Sequence, residues 1–289
     1  MTKSLALVVC LIGLSGVADA QRPSRIVSTS PSITEVLFAL GAGDRVVGVS
    51  TYCRYPEAAM ALPKVGSFLR PSAELIARLR PDLAIVSRVG NDLPRQLDVL
   101  GIRSITVDDA RTLGDVYSMI RALGTAAGVG ARAEQLVGEI QTRLDRVRAA
   151  ARTRPIRKVL VVVGRSPGSL TDLVVVGRGS FLNELVTLAG GVNVLSDPTL
   201  PSYPRIAMET VIRLDPDVIV DAGDMGDTVA EHRRRQPVTE GLWRQQLAVR
   251  AARSGAVHAV TSDAFVVPGP RVAEAAESLA GWLRAAADR

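Results

Sequence analysis

Five aromatic side chains, Tyr52, Phe68, Phe181, Tyr203 and Phe265, and one carboxylate, Asp263, fall in or beside loops next to strand patterns, in a chain that is only 3% aromatic. Such side chains cover flat apolar surface, and a few polar groups among them meet its edge. A large macrocycle with amides at its rim would suit them. Six arginines, Arg54, Arg70, Arg88, Arg165, Arg178 and Arg205, occupy or flank the same loops, and converging arginines would suit an anionic iron chelate instead. Residue type and position leave both ligand classes open.

Covalent and metal chemistry find less support. No Ser-His-Asp or Cys-His constellation is identifiable, and a catalytic set would have to be acids alone, so no catalytic residue is assigned. Gly164-Arg165-Ser166-Pro167-Gly168 follows a strand pattern but lacks the glycine spacing and the lysine of a phosphate-gripping loop. Cys53, His232 and His258 share no ligand spacing, so no metal ligand is assigned. His258, in the strand pattern AVHAV, reads as a packed strand residue. A thiol beside Tyr52 could reach a bound metal centre; the simpler reading of Cys53 is a packed or merely exposed cysteine.

The first twenty residues read as a secretion signal. Lys3 supplies a short positive start, Leu5 to Leu14 an apolar segment too short to span a bilayer, and Ala18-Asp19-Ala20 a small-x-small cleavage site. A lipid-accepting cysteine would lie at the end of the apolar segment, whereas Cys10 lies inside it. Cleavage removes one base, Lys3, and one acid, Asp19, so the net charge stays at +6. Cys53 then remains alone and can form no internal disulfide, so the cores rest on packing. The positive charge is spread as single arginines, with one dense run at His232-Arg233-Arg234-Arg235. Nucleic-acid binding would need a basic stripe interleaved with aromatics, so these charges read as solvated faces.

The elements that must position the loops are legible from periodicity. Residues 131–153 have apolar residues at Ala133, Leu136, Val137, Ile140, Leu144, Val147 and Ala151, the stripe of one long amphipathic helix. On either side, SAELIARLRPDLAIVS (72–87) and AMETVIRLDPDVIVDA (207–222) align at a constant offset of 135, from Glu74 to Glu209. Each copy reads as helix, Pro-Asp turn and buried strand. It is either half of an internal duplication or a common helix–strand turn used twice. Strands alternate with helices throughout, including strands at 25–30, 46–50, 104–107, 158–164 and 256–260, with a helix from about Thr239 and a closing helix at 271–287. The expected fold is α/β: two lobes with mostly parallel central sheets joined by one long interlobe helix. The expected division is a signal peptide at 1–20, a first lobe at 21–129, the helix at 130–154 and a second lobe at 155–289. In open sheets of this kind ligands gather beyond the carboxyl ends of the strands, which places the aromatic loops across an interlobe cleft.

RIVSTSPSITEVLFALGAGDRVVGVSTYCRYPEAAMALPKVGSF (25–68), the two RL-x-PD elements, GSFLNELVTLAGGVNVL (179–195) and GPRVAEAAESLA (269–280) together carry a resemblance. They resemble the helical-backbone class of periplasmic binding proteins, which deliver metal chelates to ABC importers. Within that class the chain is most similar to the cobalamin-binding components of vitamin importers, and the resemblance covers nearly all of it after residue 20. It implies two α/β lobes on one long helix, a ligand held between them, and no cofactor. The bound molecule would be a corrinoid (cobalamin or cobinamide), with a ferric siderophore or heme as the alternative.

The resemblance also assigns residues. Tyr52, in S-x-Y-x-x-Y-P, falls where the cobalamin binders place a contact tyrosine, and Phe68 where they use an aromatic ahead of the first repeat helix. Phe181 and Tyr203 match aromatic positions of the second lobe, and Asp263 and Phe265 match a TSD-x-F loop. Ser87 and Val267 depart from the pattern, standing where those binders have tryptophan and arginine. Glu74 and Glu209 are similar to a pair of acids, one per lobe, that dock onto arginines of a membrane permease. An acid in the first turn of a helix also complements its dipole, so both readings apply. The implied protein is a periplasmic monomer whose partners are that permease and a small metal chelate. Its stiff connecting helix predicts small lobe motion on binding.

Overall fold

The computed structural model describes residues 22–88, 92–224 and 229–287, so the proposed signal segment at 1–20 lies outside the described residues. The first sheet comprises β1 (Ile26–Ser28), β2 (Val46–Val49), β3 (Leu83–Ser87) and β4 (Ser104–Val107), in the order β2-β1-β3-β4, and every pair is parallel. All five residues of β3 are buried, as a parallel strand covered on both faces requires. Helices α1 (Pro31–Ala39), α2 (Glu57–Met60), α3 (Ala73–Arg78), α4 (Leu93–Val99) and α5 (Leu113–Ala126) connect and follow these strands. Pro31 opens α1 with its preset φ, and Gly41, at φ +74°, closes it. At α5 the Thr112 hydroxyl accepts the Asp115 N–H at 3.1 Å, while the Asp115 carboxylate accepts the Thr112 N–H at 2.9 Å.

Helix α6 (Gly130–Ala151) runs from the last helix of the first sheet to the first strand of the second. Its 22 residues span roughly 33 Å at about 1.5 Å each. The residues it buries are the seven of the apolar stripe, Ala133 through Ala151. All but Ala151 join a core that is continuous across both lobes, reaching Leu37 and Ile120 on one side and Val161, Leu185 and Leu279 on the other.

The second sheet comprises β5 (Arg157–Gly164), β6 (Leu173–Val175), β7 (Gly191–Asn193), β8 (Arg205–Ile206), β9 (Val218–Asp221) and β10 (Val257–Ala259). Its order is β10-β9-β5-β6-β8, and β7 shares the β6 edge of β5. Strands β10, β9, β5 and β7 are parallel. β6 doubles back antiparallel through a turn that uses Gly168 at φ +69° and Asp172 at φ +54°. Helices α7 (Phe181–Leu188), α8 (Met208–Leu214), α9 (Val229–Arg244), α10 (Arg250–Ser254) and α11 (Val272–Ala287) complete it. The helix expected from about Thr239 is therefore longer by ten residues, with Pro237 inside it. Its early turns are charged, with no apolar stripe to announce them. They are held by pairs such as Arg235 with Asp224 at 2.7 Å.

The offset of 135 is structural. Asp82 accepts the Arg25 N–H at 3.1 Å, and Asp217 accepts the Lys158 N–H at 2.8 Å, so each aspartate pins the start of its neighbouring strand. The cations on those strands return the favour: Arg25 donates to the Leu79 carbonyl at 2.6 Å and Lys158 to the Leu214 carbonyl at 2.7 Å, each at the end of its repeat helix. Arg80 (φ +45°) and Asp215 (φ +42°) both turn the chain through the left-handed region, immediately before Pro81 and Pro216. A residue preceding proline is disfavoured in the right-handed helix, which is why both helices stop there. The two repeated helix–turn–strand units therefore make matching contacts in their lobes.

Candidate functional site

One cleft, about 460 Å³ in volume, opens between the lobes at the carboxyl ends of the strands. From the first lobe it takes the β1–α1 turn (Ser30, Pro31, Ser32), the loop after β2 (Tyr52, Arg54), Phe68 and the β4–α5 turn (Asp109, Ala110, Arg111). From the second it takes Phe181, Tyr203, Asp263 and Val266 to Pro268. The β1–α1 and β4–α5 turns and the loop after β2 leave parallel strands there, Phe181 opens α7, and Tyr203 precedes the antiparallel β8.

Tyr52 and Tyr203, 44% and 43% exposed, present faces from opposite lobes. Tyr52 meets Phe68 edge to face at 5.9 Å and 73°, and the Arg54 guanidinium lies 6.0 Å from the Tyr52 ring. Partial burial pushes the Tyr203 hydroxyl above its ordinary pKa. Phe181 is the first residue of α7 and is almost wholly buried, so it forms floor rather than wall. Five of the six ligand positions assigned from sequence thus line one cavity.

Phe265 does not line this cleft. It is 2% exposed and stacks on Trp282 of α11 at 5.5 Å and 25°, with His258 of β10 stacked 4.8 Å from the same indole. It reaches only a smaller adjoining cavity that it shares with Phe181 and Tyr203. A ring in a loop can turn inward when the neighbouring helix offers an indole, and loop position does not reveal which way it turns.

The arginines divide as well. Arg54 lines the cleft, and so does Arg111 of the β4–α5 turn, which sequence reasoning missed. Arg70, Arg178 and Arg205 are exposed away from the cleft, and Arg88 pairs with Asp108. Arg165 is buried in a structural network with Asp221 and Thr239. Cys53 is 1% exposed and packs behind Tyr52, with its sulfur 3.1 Å from Thr34 Oγ1 and 3.3 Å from Ser50 Oγ; burial pushes its thiol pKa up. Ser87 is buried and donates to Asp109 at 2.8 Å, behind the cleft wall, whereas Val267 lines it.

Asp263 is already engaged. It accepts a hydrogen bond from Arg271 at 2.6 Å, and Arg271 also grips Glu35 of the first lobe through two nitrogens. Burial lifts the Glu35 carboxyl up to about 7 against the pull of Arg271, while the carboxylates hold Arg271 protonated throughout. The two-nitrogen geometry makes the charged pair the form present above that range.

The model of the family described as periplasmic binding protein matches residues 26–264. An uncharacterised ABC-transporter substrate-binding lipoprotein of Bacillus subtilis is 32% identical over 267 residues, covering 90% of this chain and 80% of that one. The vitamin B12-binding protein of Pectobacterium atrosepticum is 32% identical over 270 residues, covering 90% and 88%. Among solved structures, the periplasmic heme-binding protein of Roseiflexus in apo form superposes with a TM-score of 0.77 at 28% identity, covering 91% of this chain and 99% of that one.

Proposed function

The chain belongs to the periplasmic binding protein family, and from that premise we propose that it captures a corrinoid, cobalamin or cobinamide, between its lobes and delivers it to the permease of an ABC importer. The observation that carries this reading is the apolar cleft faced by Tyr52 and Tyr203 from opposite lobes. Two exposed rings that line one cleft from opposite lobes suit a broad ligand whose faces are apolar and whose rim is polar. The kinship with a vitamin B12-binding protein over most of both chains supports the same ligand class. In this reading residues 1–20 direct the chain to the periplasm, where it acts as a monomer by stoichiometric capture rather than turnover.

A second reading rests on the cleft cations. Arg54 and Arg111 both line the cavity and would meet the carboxylates of heme or a ferric siderophore, and a solved relative is named a heme binder. Calorimetric titration of residues 21–289 with cyanocobalamin, cobinamide, heme and a ferric siderophore separates the two. Tight one-to-one binding of a corrinoid is the expected result. Heat from heme or the siderophore alone would move the ligand and keep the transport role, and no binding of any of the four would overturn both readings.

Glu74 and Glu209 are the proposed permease contacts. Both are exposed at the second position of matching helices, α3 and α8. Ser72 donates to Glu74 at 2.7 Å and holds its carboxyl below the usual range, so it is fully charged in a neutral periplasm. Charge reversal of both, Glu74→Lys with Glu209→Lys, is expected to cut importer-dependent uptake by about an order of magnitude or more while leaving solution affinity unchanged. Uptake equal to wild type would remove docking and leave the helix-dipole role.

A further inference from the structure

Two carboxylates cross between the lobes, and they are equivalents of each other. Glu35 lies four residues into α1 and Glu184 three residues into α7, in the matching stretches Ile33-Thr34-Glu35-Val36 and Leu182-Asn183-Glu184-Leu185. Glu35 takes the Arg271 guanidinium, from the residue just before α11 of the other lobe, with Nε to Oε2 at 2.9 Å. Glu184 takes the Leu113 N–H at 3.1 Å, the first residue of α5 in the other lobe. In each case the first helix of one lobe holds the head of the last helix of its partner lobe, so the two ties cross the cleft in opposite senses.

Each tie is anchored to a cleft wall at both ends. The starts of α1 and α7 line the cavity through Pro31 and Phe181. The turns leading into α5 and α11 line it through Arg111 and Pro268, close before Leu113 and Arg271. The Arg271 guanidinium also holds the cleft residue Asp263 and lies 4.0 Å from the ring of Tyr55, in the loop that presents Tyr52.

We propose that Glu35 and Glu184 are positioning residues for ligand capture: paired interlobe ties that set the width of the cleft and hold its two walls in register. They touch no ligand themselves. The proposal rests on the cleft being the capture site, but the spacing of the lobes can be read without any ligand, which keeps the two claims apart.

The test places spin labels at Val99→Cys and Leu247→Cys, exposed positions on opposite lobes at 81% and 66%, with native Cys53 shielded at 1%. Interlobe distance distributions are then measured for the unsubstituted background, Glu184→Ala, Glu184→Gln and Glu35→Gln. Gln keeps an acceptor for the Leu113 N–H and Ala does not, so Glu184→Ala should broaden the distribution while Glu184→Gln stays narrow. Glu184→Ala should also release cyanocobalamin about tenfold faster, the effect of losing one carboxylate hydrogen bond. Glu184 is only half-buried, so this variant remains testable if Glu35→Gln fails to fold. A narrow, unshifted distribution in folded Glu184→Ala would overturn the proposal. Broadening without any corrinoid binding would uphold the ties and reject the corrinoid.

Discussion

Asp221→Ala lowers the unfolding free energy by about 2–3 kcal/mol, the cost of stranding buried donors without their acceptor. The Asp221 side chain is fully buried and serves three donors. Its Oδ2 accepts from Arg165 at 3.0 Å and from the Trp243 indole at 2.7 Å, and its Oδ1 accepts from the Gly223 N–H at 2.8 Å. Arg165 also donates to Thr239 Oγ1 at 2.7 Å and to the Ser169 carbonyl at 3.0 Å, and those bonds cannot neutralise it. Alanine therefore leaves Arg165 with Asp224, 3.3 Å away, as its remaining carboxylate partner, and strands the Arg165 Nε–H and the indole N–H without an acceptor, both out of reach of water. Denaturant titration followed by circular dichroism reads the loss as a lower midpoint at unchanged slope. A loss under about 1 kcal/mol would mean that water replaces the carboxylate and that the ion pair contributes little. None of these side chains lines the cleft, so the folded variant should bind ligand like wild type.

That network also shows why an arginine's role cannot be read from its neighbours in sequence. Arg165 follows a strand and precedes a Pro-Gly turn, the local signature of a cleft cation, but its partner Asp221 lies 56 residues away. The stripe of α6 was legible because seven residues at one period fall on one face, and burial followed that face residue by residue. The start of α9 was not, because EHRRRQ carries no apolar period. Strands β7 and β8, of three and two residues, are too short to show an alternation. At the site, the carboxyl-end rule gathered Tyr52, Phe68, Phe181, Tyr203 and Asp263 into one cavity. What it could not give was side-chain direction: Phe265 turns to Trp282, and Asp263 to Arg271.

Tyr52→Ala is expected to weaken corrinoid binding by about 2–3 kcal/mol, a factor of roughly 30 to 150 in Kd, from the loss of one ring face against the ligand. The ring is 44% exposed in the free protein, so its burial by a ligand is still to be gained. It is also held in place: Phe68 contacts it edge-on at 5.9 Å, which limits the rotamer freedom that binding must freeze. Tyr52→Phe keeps both the area and the Phe68 contact, so it should retain most of the affinity. Tyr203→Ala, on the facing wall with a similar exposure of 43%, should cost about as much as Tyr52→Ala, because a flat ligand has two faces to cover. Calorimetry on the three variants distinguishes a ring clamp from a polar contact. If Tyr52→Phe loses as much as Tyr52→Ala, the hydroxyl carries the interaction, and the geometry favours a ligand that presents a metal or an anionic rim to Tyr52, with Arg54 beside it, over one that presents an apolar face.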